Sequence, residues 1–174
     1  QFSSSTVAFT NFPSTLVPKE IFTKENAKET LTLVSNVYDI IKYDEIKNID
    51  AYLIYTITND IHNIIYTFFP DAKQEAQQSI LIEEFKKFDN SRDNAYLYIS
   101  ENVLDITVFR NNKLLFNNAF SFTTKEDILY FTLFVFEQLK LDTETVHVIL
   151  YGEIIKGDEN HQLLYDYIRN IEFG

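Results

Sequence analysis

Residues Asn94 to Phe122 read NAYLYISENVLDITVFRNNKLLFNNAFSF, and this stretch decides the fold. It holds three runs rich in β-branched and aromatic residues: Ala95–Ser100, Val103–Arg110 and Lys113–Phe122. Ser100-Glu101-Asn102 separates the first two runs, and Asn111-Asn112 the last two. Asparagine tolerates positive φ, so both breaks predict tight turns and the stretch predicts a three-strand meander. Thr123 and Glu126 stand three residues apart and predict a capping box. The helix it opens carries ILYFTLFVFEQL, Ile128–Leu139, which is apolar on nearly every side. Phe131, Leu133 and Phe134 are therefore all expected to be largely buried. The apolar run VHVILY, Val146–Tyr151, predicts an interior strand. After Gly152, Asn160 predicts the cap of a last helix with Leu163, Leu164, Tyr167, Ile168 and Ile171 on one stripe.

The order is strand, strand, strand, helix, strand, helix. A meander followed by a crossover to a parallel strand gives a mixed sheet with helices packed on it. This is the core of the ribonuclease H-like fold, and two such units form the actin-like ATPase fold. The first half has similar grammar. TVAFT, Thr6–Thr10, predicts a short strand, and Thr23 the cap of a helix reaching about Val34. VYDIIKY (Val37–Tyr43) and AYLIYTI (Ala51–Ile57) predict strands. Ile61, Ile64, Ile65 and Phe68 fall on one helical face, which Pro70 ends. Asp71 predicts the cap of a further helix with Ala76, Ile80, Leu81, Phe85 and Phe88 along one side. FDNSRDN, Phe88–Asn94, is polar and turn-rich, so the lobes are expected at residues 1–90 and 91–174.

Bulk composition narrows the function. The 174 residues are 45% hydrophobic and include 16 Phe and 11 Tyr, enough for two packed lobes. Only three Gly are present, and neither a P-loop nor a dinucleotide fingerprint occurs. The formal net charge of −11, with Lys86-Lys87 the only adjacent basic pair, argues against nucleic acid and against anionic lipid. No apolar run approaches spanning length, so membrane insertion is not expected. With no cysteine, disulfides and Cys-based metal sites are excluded, which fits a reducing compartment such as the cytoplasm. There is no methionine, even at position 1, so the chain reads as an internal fragment or a processed product.

Four stretches carry a resemblance: TLVPKEIF (Thr15–Phe22), FFPDA (Phe68–Ala72), LLFNNAFSFTTKEDILYF (Leu114–Phe131) and ILYGEI (Ile149–Ile154). Together they resemble an uncharacterised Bacteroidetes-type family, a domain of unknown function with an actin-like structure. The resemblance implies that a strand hairpin precedes Thr6 in family members, leaving the first lobe N-terminally incomplete here. Active members of the actin-like superfamily hold ATP with Mg²⁺ between their lobes, at a glycine-bearing phosphate hairpin in each lobe and a Gly-Gly turn beside adenosine. The corresponding positions here are Ser100, Glu101 and Asn102 in the hairpin and Gly152 at the adenosine turn. Glu101 would face the phosphates, where two unit charges at 4 Å repel by ~4 kcal/mol at an effective dielectric of 20. Gly152 stands alone and is followed by Glu153.

Other chemistries find less support. A ribonuclease H-like nuclease needs carboxylates converging on Mg²⁺ from the first strand, and AYLYIS has none. His62, His147 and His161 are isolated, with no second His at ligand spacing, and no G-x-S-x-G elbow occurs. No catalytic residue and no metal ligand are assigned. The expectation is a non-catalytic actin-like scaffold without cofactor, working through a protein partner or a second copy. The alternative is a divergent ATPase or phosphotransferase using ATP with Mg²⁺.

Overall fold

Among the described residues, five strands and three α-helices make up the first of two units, which divide between Glu84 and Phe85. The computed structural model describes residues 5–174. The elements are β1 (Thr6–Phe9), β2 (Ser14–Pro18), α1 (Ala27–Thr32), β3 (Ile40–Ile46), β4 (Ala51–Ile57), α2 (Asn59–Phe68), β5 (Lys73–Ala76) and α3 (Gln77–Phe85). The last residue of α3 belongs to the second unit. Strands β2, β4 and β3 form an antiparallel sheet in that order, while β1 pairs with β5 in parallel. AYLIYTI becomes the central strand β4, buried along nearly its whole length. Ile54 packs with Val17, Ala27 and Leu31. The boundary expected near Asn90 moves upstream, and the whole Phe88–Asn94 stretch belongs to the second unit.

Several first-unit elements shift from their expected places. Thr23 and Asn26 exchange bonds, Thr23 N–H to Asn26 Oδ1 at 3.1 Å and Asn26 N–H to Thr23 Oγ1 at 3.2 Å. That holds Thr23–Asn26 as a turn, so α1 starts at Ala27 and stops at Thr32, leaving Leu33 and Val34 exposed. The strand expected at Val37–Tyr43 runs at Ile40–Ile46, in register with β4. Asp71 caps no helix, because Lys73–Ala76 is drawn into a strand by pairing with β1. Tertiary pairing here outweighs local propensity. The buried face of α3 is then Ile82 and Phe85, while Phe88 is exposed.

The second unit contains β6 (Asn94–Ser100), β7 (Val103–Arg110), β8 (Lys113–Ser121), α4 (Lys125–Leu139), β9 (His147–Gly152), α5 (Glu159–Tyr165) and β10 (Asn170–Phe173). Its sheet runs β10-β9-β6-β7-β8, so the run Val146–Tyr151 is interior as expected. The meander is antiparallel, and β6–β9 and β9–β10 are parallel. Asn111 and Asn112 both have positive φ, 50° and 59°, which is the conformation a two-residue hairpin turn demands. One face of the sheet, with Leu97, Ile106 and Val148, packs against Ile128, Val135 and Phe136 of α4.

Three details of this unit correct the expectation. The capping box is one residue later, with Thr124 at the cap and Asp127 as its partner. Phe134 is 43% exposed, and Phe131 and Leu133 are only half-buried, so one flank of α4 is open. Asp158, not Asn160, caps α5, and the stripe through Ile171 breaks after Tyr165 to give the edge strand β10. Pairing of β10 with β9 outweighs the helical periodicity.

Asn90, at 0% exposure, is bonded through both its side chain and its backbone. Its Nδ2 donates to Phe85 O (2.9 Å) and Phe88 O (3.1 Å). Its Oδ1 accepts from Asn94 Nδ2 (3.0 Å) and Tyr96 Oη (2.8 Å). Its N–H donates to Asn112 Oδ1, and its carbonyl accepts the Asn112 N–H. The amide thus fills its full set of donors and acceptors. Burial pushes the Tyr96 hydroxyl up to about 12, so it stays a donor. Asp93 adds a two-pronged pair with Arg110, at 2.6 and 2.9 Å. Together these bonds fasten the polar stretch to the β7–β8 turn and to β6. An Asn90→Ala variant leaves several buried groups without partners, each costing about 1–3 kcal/mol. It is expected to lose about 3 kcal/mol or more in urea denaturation, while Ser91→Ala at the neighbouring exposed site stays within about 0.5 kcal/mol.

Candidate functional site

The four sequence-derived positions come together at one end of the second unit's sheet. Ser100 pairs with Val103, so the turn proper is Glu101-Asn102, with Glu101 at φ 45°. Ile99 pairs with Gly152 across the parallel β6–β9 ladder. Glu153 then folds over the turn. Its N–H donates to Ile99 O at 2.7 Å, and its carboxylate Oε2 accepts the Glu101 N–H at 2.8 Å. One backbone donor of the hairpin, the Glu101 N–H, is thereby held by a side chain of the same unit. Glu153 as the turn's partner was not legible in the sequence. Its position after a strand gives no sign that parallel pairing returns it to a turn some fifty residues upstream.

Gly152 has a local reason to be glycine. It sits at φ +86°, and a Cβ there would lie 2.1 Å from Ile99 O. Both the backbone conformation and the approach of β9 to β6 exclude a side chain. Among the described residues, no group of three or more His, Asp or Glu is placed to hold a metal ion. No helix among them is long and apolar enough to cross a membrane.

A second polar cluster lies in the first unit, where the sequence gave no signal. Asp44 of β3 accepts the Ala76 N–H at 2.7 Å and the Tyr55 hydroxyl at 3.2 Å. Ala76 directly precedes α3, so the carboxylate sits at a helix N-terminus, where the dipole favours an anion. Burial nevertheless raises the Asp44 carboxyl above the ordinary range, and burial followed by Asp44 raises the Tyr55 hydroxyl. Perturbed groups mark functional sites only when they converge on open space. Here both are spent on each other and on the β5–α3 junction.

These arrangements define an α/β protein of the actin-like ATPase fold. A crystal structure of a Bacteroides thetaiotaomicron protein, described as having an actin-like ATPase fold and unknown function, matches with a TM-score of 0.90. The two are 21% identical, and the match covers 100% of this chain and 69% of that one. No curated protein matches the chain. The family model "Protein of unknown function (DUF3822)" matches residues 1–171, and the chain belongs to this family.

Two outcomes are expected. Gly152→Ala costs about 1–3 kcal/mol for its backbone conformation, plus the overlap with Ile99 O. Gly157→Ala, at φ +90° with nothing within 4 Å, loses only the backbone part. Thermal denaturation of the two variants therefore isolates the cost of the close approach. For Asp44 the folded pKa lies above the unfolded value of about 3.9. Its contribution to stability is present below that value and is lost as pH rises through the folded pKa. Asp44→Asn should therefore gain on the wild type as pH rises above about 4 in urea denaturation. A constant gap between the two would show that the folded pKa is not raised.

Proposed function

We propose that the chain is a non-catalytic actin-like scaffold that acts through protein contacts, in the cytoplasm. The observation that carries this reading is the bond from the Glu101 N–H to the Glu153 carboxylate. A phosphate-binding hairpin needs backbone N–H groups free to meet an incoming anion. Here a resident anion takes the Glu101 N–H, Glu101 adds a second carboxylate at the turn, and the net charge of −11 supplies no attraction from a distance. Gly152 is explained by strand packing, without a base to bind. No cofactor is needed on this reading, and the partner is a protein or a second copy.

The same bond gives the second reading its support. A turn whose N–H already holds a carboxylate has geometry a phosphate oxygen could use. On that reading the protein is a divergent ATPase or phosphotransferase binding ATP with Mg²⁺ once Glu153 swings away. Mg²⁺-dependent ATP hydrolysis, measured beside Glu101→Ala and Glu153→Ala variants, separates the two. The scaffold reading expects no turnover and no thermal stabilisation by ATP with Mg²⁺ in any of the three. Saturating ligand at 100 times Kd would stabilise by ~2.7 kcal/mol. Turnover by the wild type that Glu101→Ala abolishes would sink the scaffold reading.

A further inference from the structure

Strand β8 is an edge of the five-stranded sheet, and it lacks most protections of an edge. Its sequence KLLFNNAFS has one charge, Lys113, and no proline. A bulge between the partners of Val108 and Phe109 sets Leu115 out of register, so the regular edge runs from Phe116 to Ser121. The Phe122 N–H bonds inward to Asn102 O at 2.9 Å. By strand alternation, the backbone groups of Asn117, Ala119 and Ser121 point outward. Beside this edge runs a ladder of rings. Phe116 meets Phe120, Phe120 meets Phe131 at 4.7 Å, Phe131 meets Tyr130 at 5.4 Å, and Tyr130 meets Phe134 at 6.1 Å. The ladder ends in the open: Tyr130 is 61% and Phe134 43% exposed.

We infer that this edge and ladder form the interface of a homodimer, with β8 pairing antiparallel to β8 of a second copy about a twofold axis. This rests on the scaffold reading given above. Charge selects the occupant. At −11 per chain two copies repel, and close approach needs a stretch free of carboxylates, which β8 supplies. Pairing centred on Asn118 sets Asn117 opposite the partner's Ala119, which joins the outward backbone groups. It also sets Phe116 opposite the partner's Phe120, both on the α4 face, where aromatic cross-strand pairs are favourable. Lys113 then falls beside the start of the partner's α4, where Glu126 is exposed. The twofold axis makes this complementary contact twice.

Sedimentation equilibrium of the purified chain at micromolar concentrations tests the inference. A dimer is expected, and Ala119→Lys and Phe134→Glu, both at exposed positions, should each weaken it by about tenfold or more. Lys113→Glu and Glu126→Lys should each weaken it as well. Mixing these two variants should restore a heterodimer, because both ion pairs are then regained in reversed and native sense. Far-UV circular dichroism and thermal melts confirm that each variant is folded. A monomer throughout, a dimer indifferent to Ala119→Lys, or a mixture that fails to recover overturns the interface. The hydrolysis assay reads separately: ATP turnover by a β8-paired dimer removes the scaffold reading and leaves the interface standing.

Discussion

The second unit depends on the double pairing of β6, antiparallel to β7 on one side and parallel to β9 on the other. A parallel neighbour cannot be reached through a tight turn, so the chain must cross over through α4. That crossover buries the Leu97, Ile106 and Val148 face under Ile128, Val135 and Phe136. It also brings the end of β9 to the end of the β6–β7 hairpin. Gly152 and Glu153 therefore meet Ile99 and Glu101, although they are far apart in sequence.

Each end of this sheet is closed by one side chain. Where β6 starts, Asn90 gathers Phe85, Phe88, Asn94, Tyr96 and Asn112 around a buried amide. Where β6 ends, the Glu153 carboxylate takes the Glu101 N–H of the turn. The two closures differ in exposure. The Asn90 amide is sealed from water, whereas the Glu101–Glu153 bond lies at the surface and competes with solvent. Stability is invested at the first end. The second end is where the chemistry of the unit could be changed by a single side-chain rotation.

The parts of the fold legible in the sequence were those set by local pattern. The meander, the Asn111-Asn112 turn and the interior strand ending near Tyr151 follow from β-branched runs, turn residues and an apolar run. The parts that were not legible depend on partners distant in sequence. Lys73–Ala76 has no strand character of its own and becomes β5 only because β1 lies beside it. Asn170–Phe173 likewise becomes β10 beside β9. Thr124 outcompetes Thr123 as the cap because Asp127 receives the N–H groups of both threonines at 2.9 Å, a contest one residue wide. Asn90 stands in a polar, turn-rich stretch that marks a lobe boundary by composition, and composition cannot show that a polar residue is buried with its side-chain bonds made. At the candidate site, Ser100, Glu101, Asn102 and Gly152 follow from the resemblance to the actin-like superfamily, but Glu153's bond to the turn required the register of β6 with β9.

The register also orders how the second unit can fold. Strands β6, β7 and β8 are joined by two-residue turns, so their pairings close small loops and form quickly. Strand β9 must wait until α4 and the connection after it have been laid down, and β10 must wait for β9. Until then the inner edge of β6, destined for the middle of the sheet, faces water with Leu97 and Ile99 uncovered. A chain emerging from the ribosome passes through this state, because α4 and β9 are made after the meander. The central strand of the finished sheet is thus, for a time, the most vulnerable edge of the nascent one.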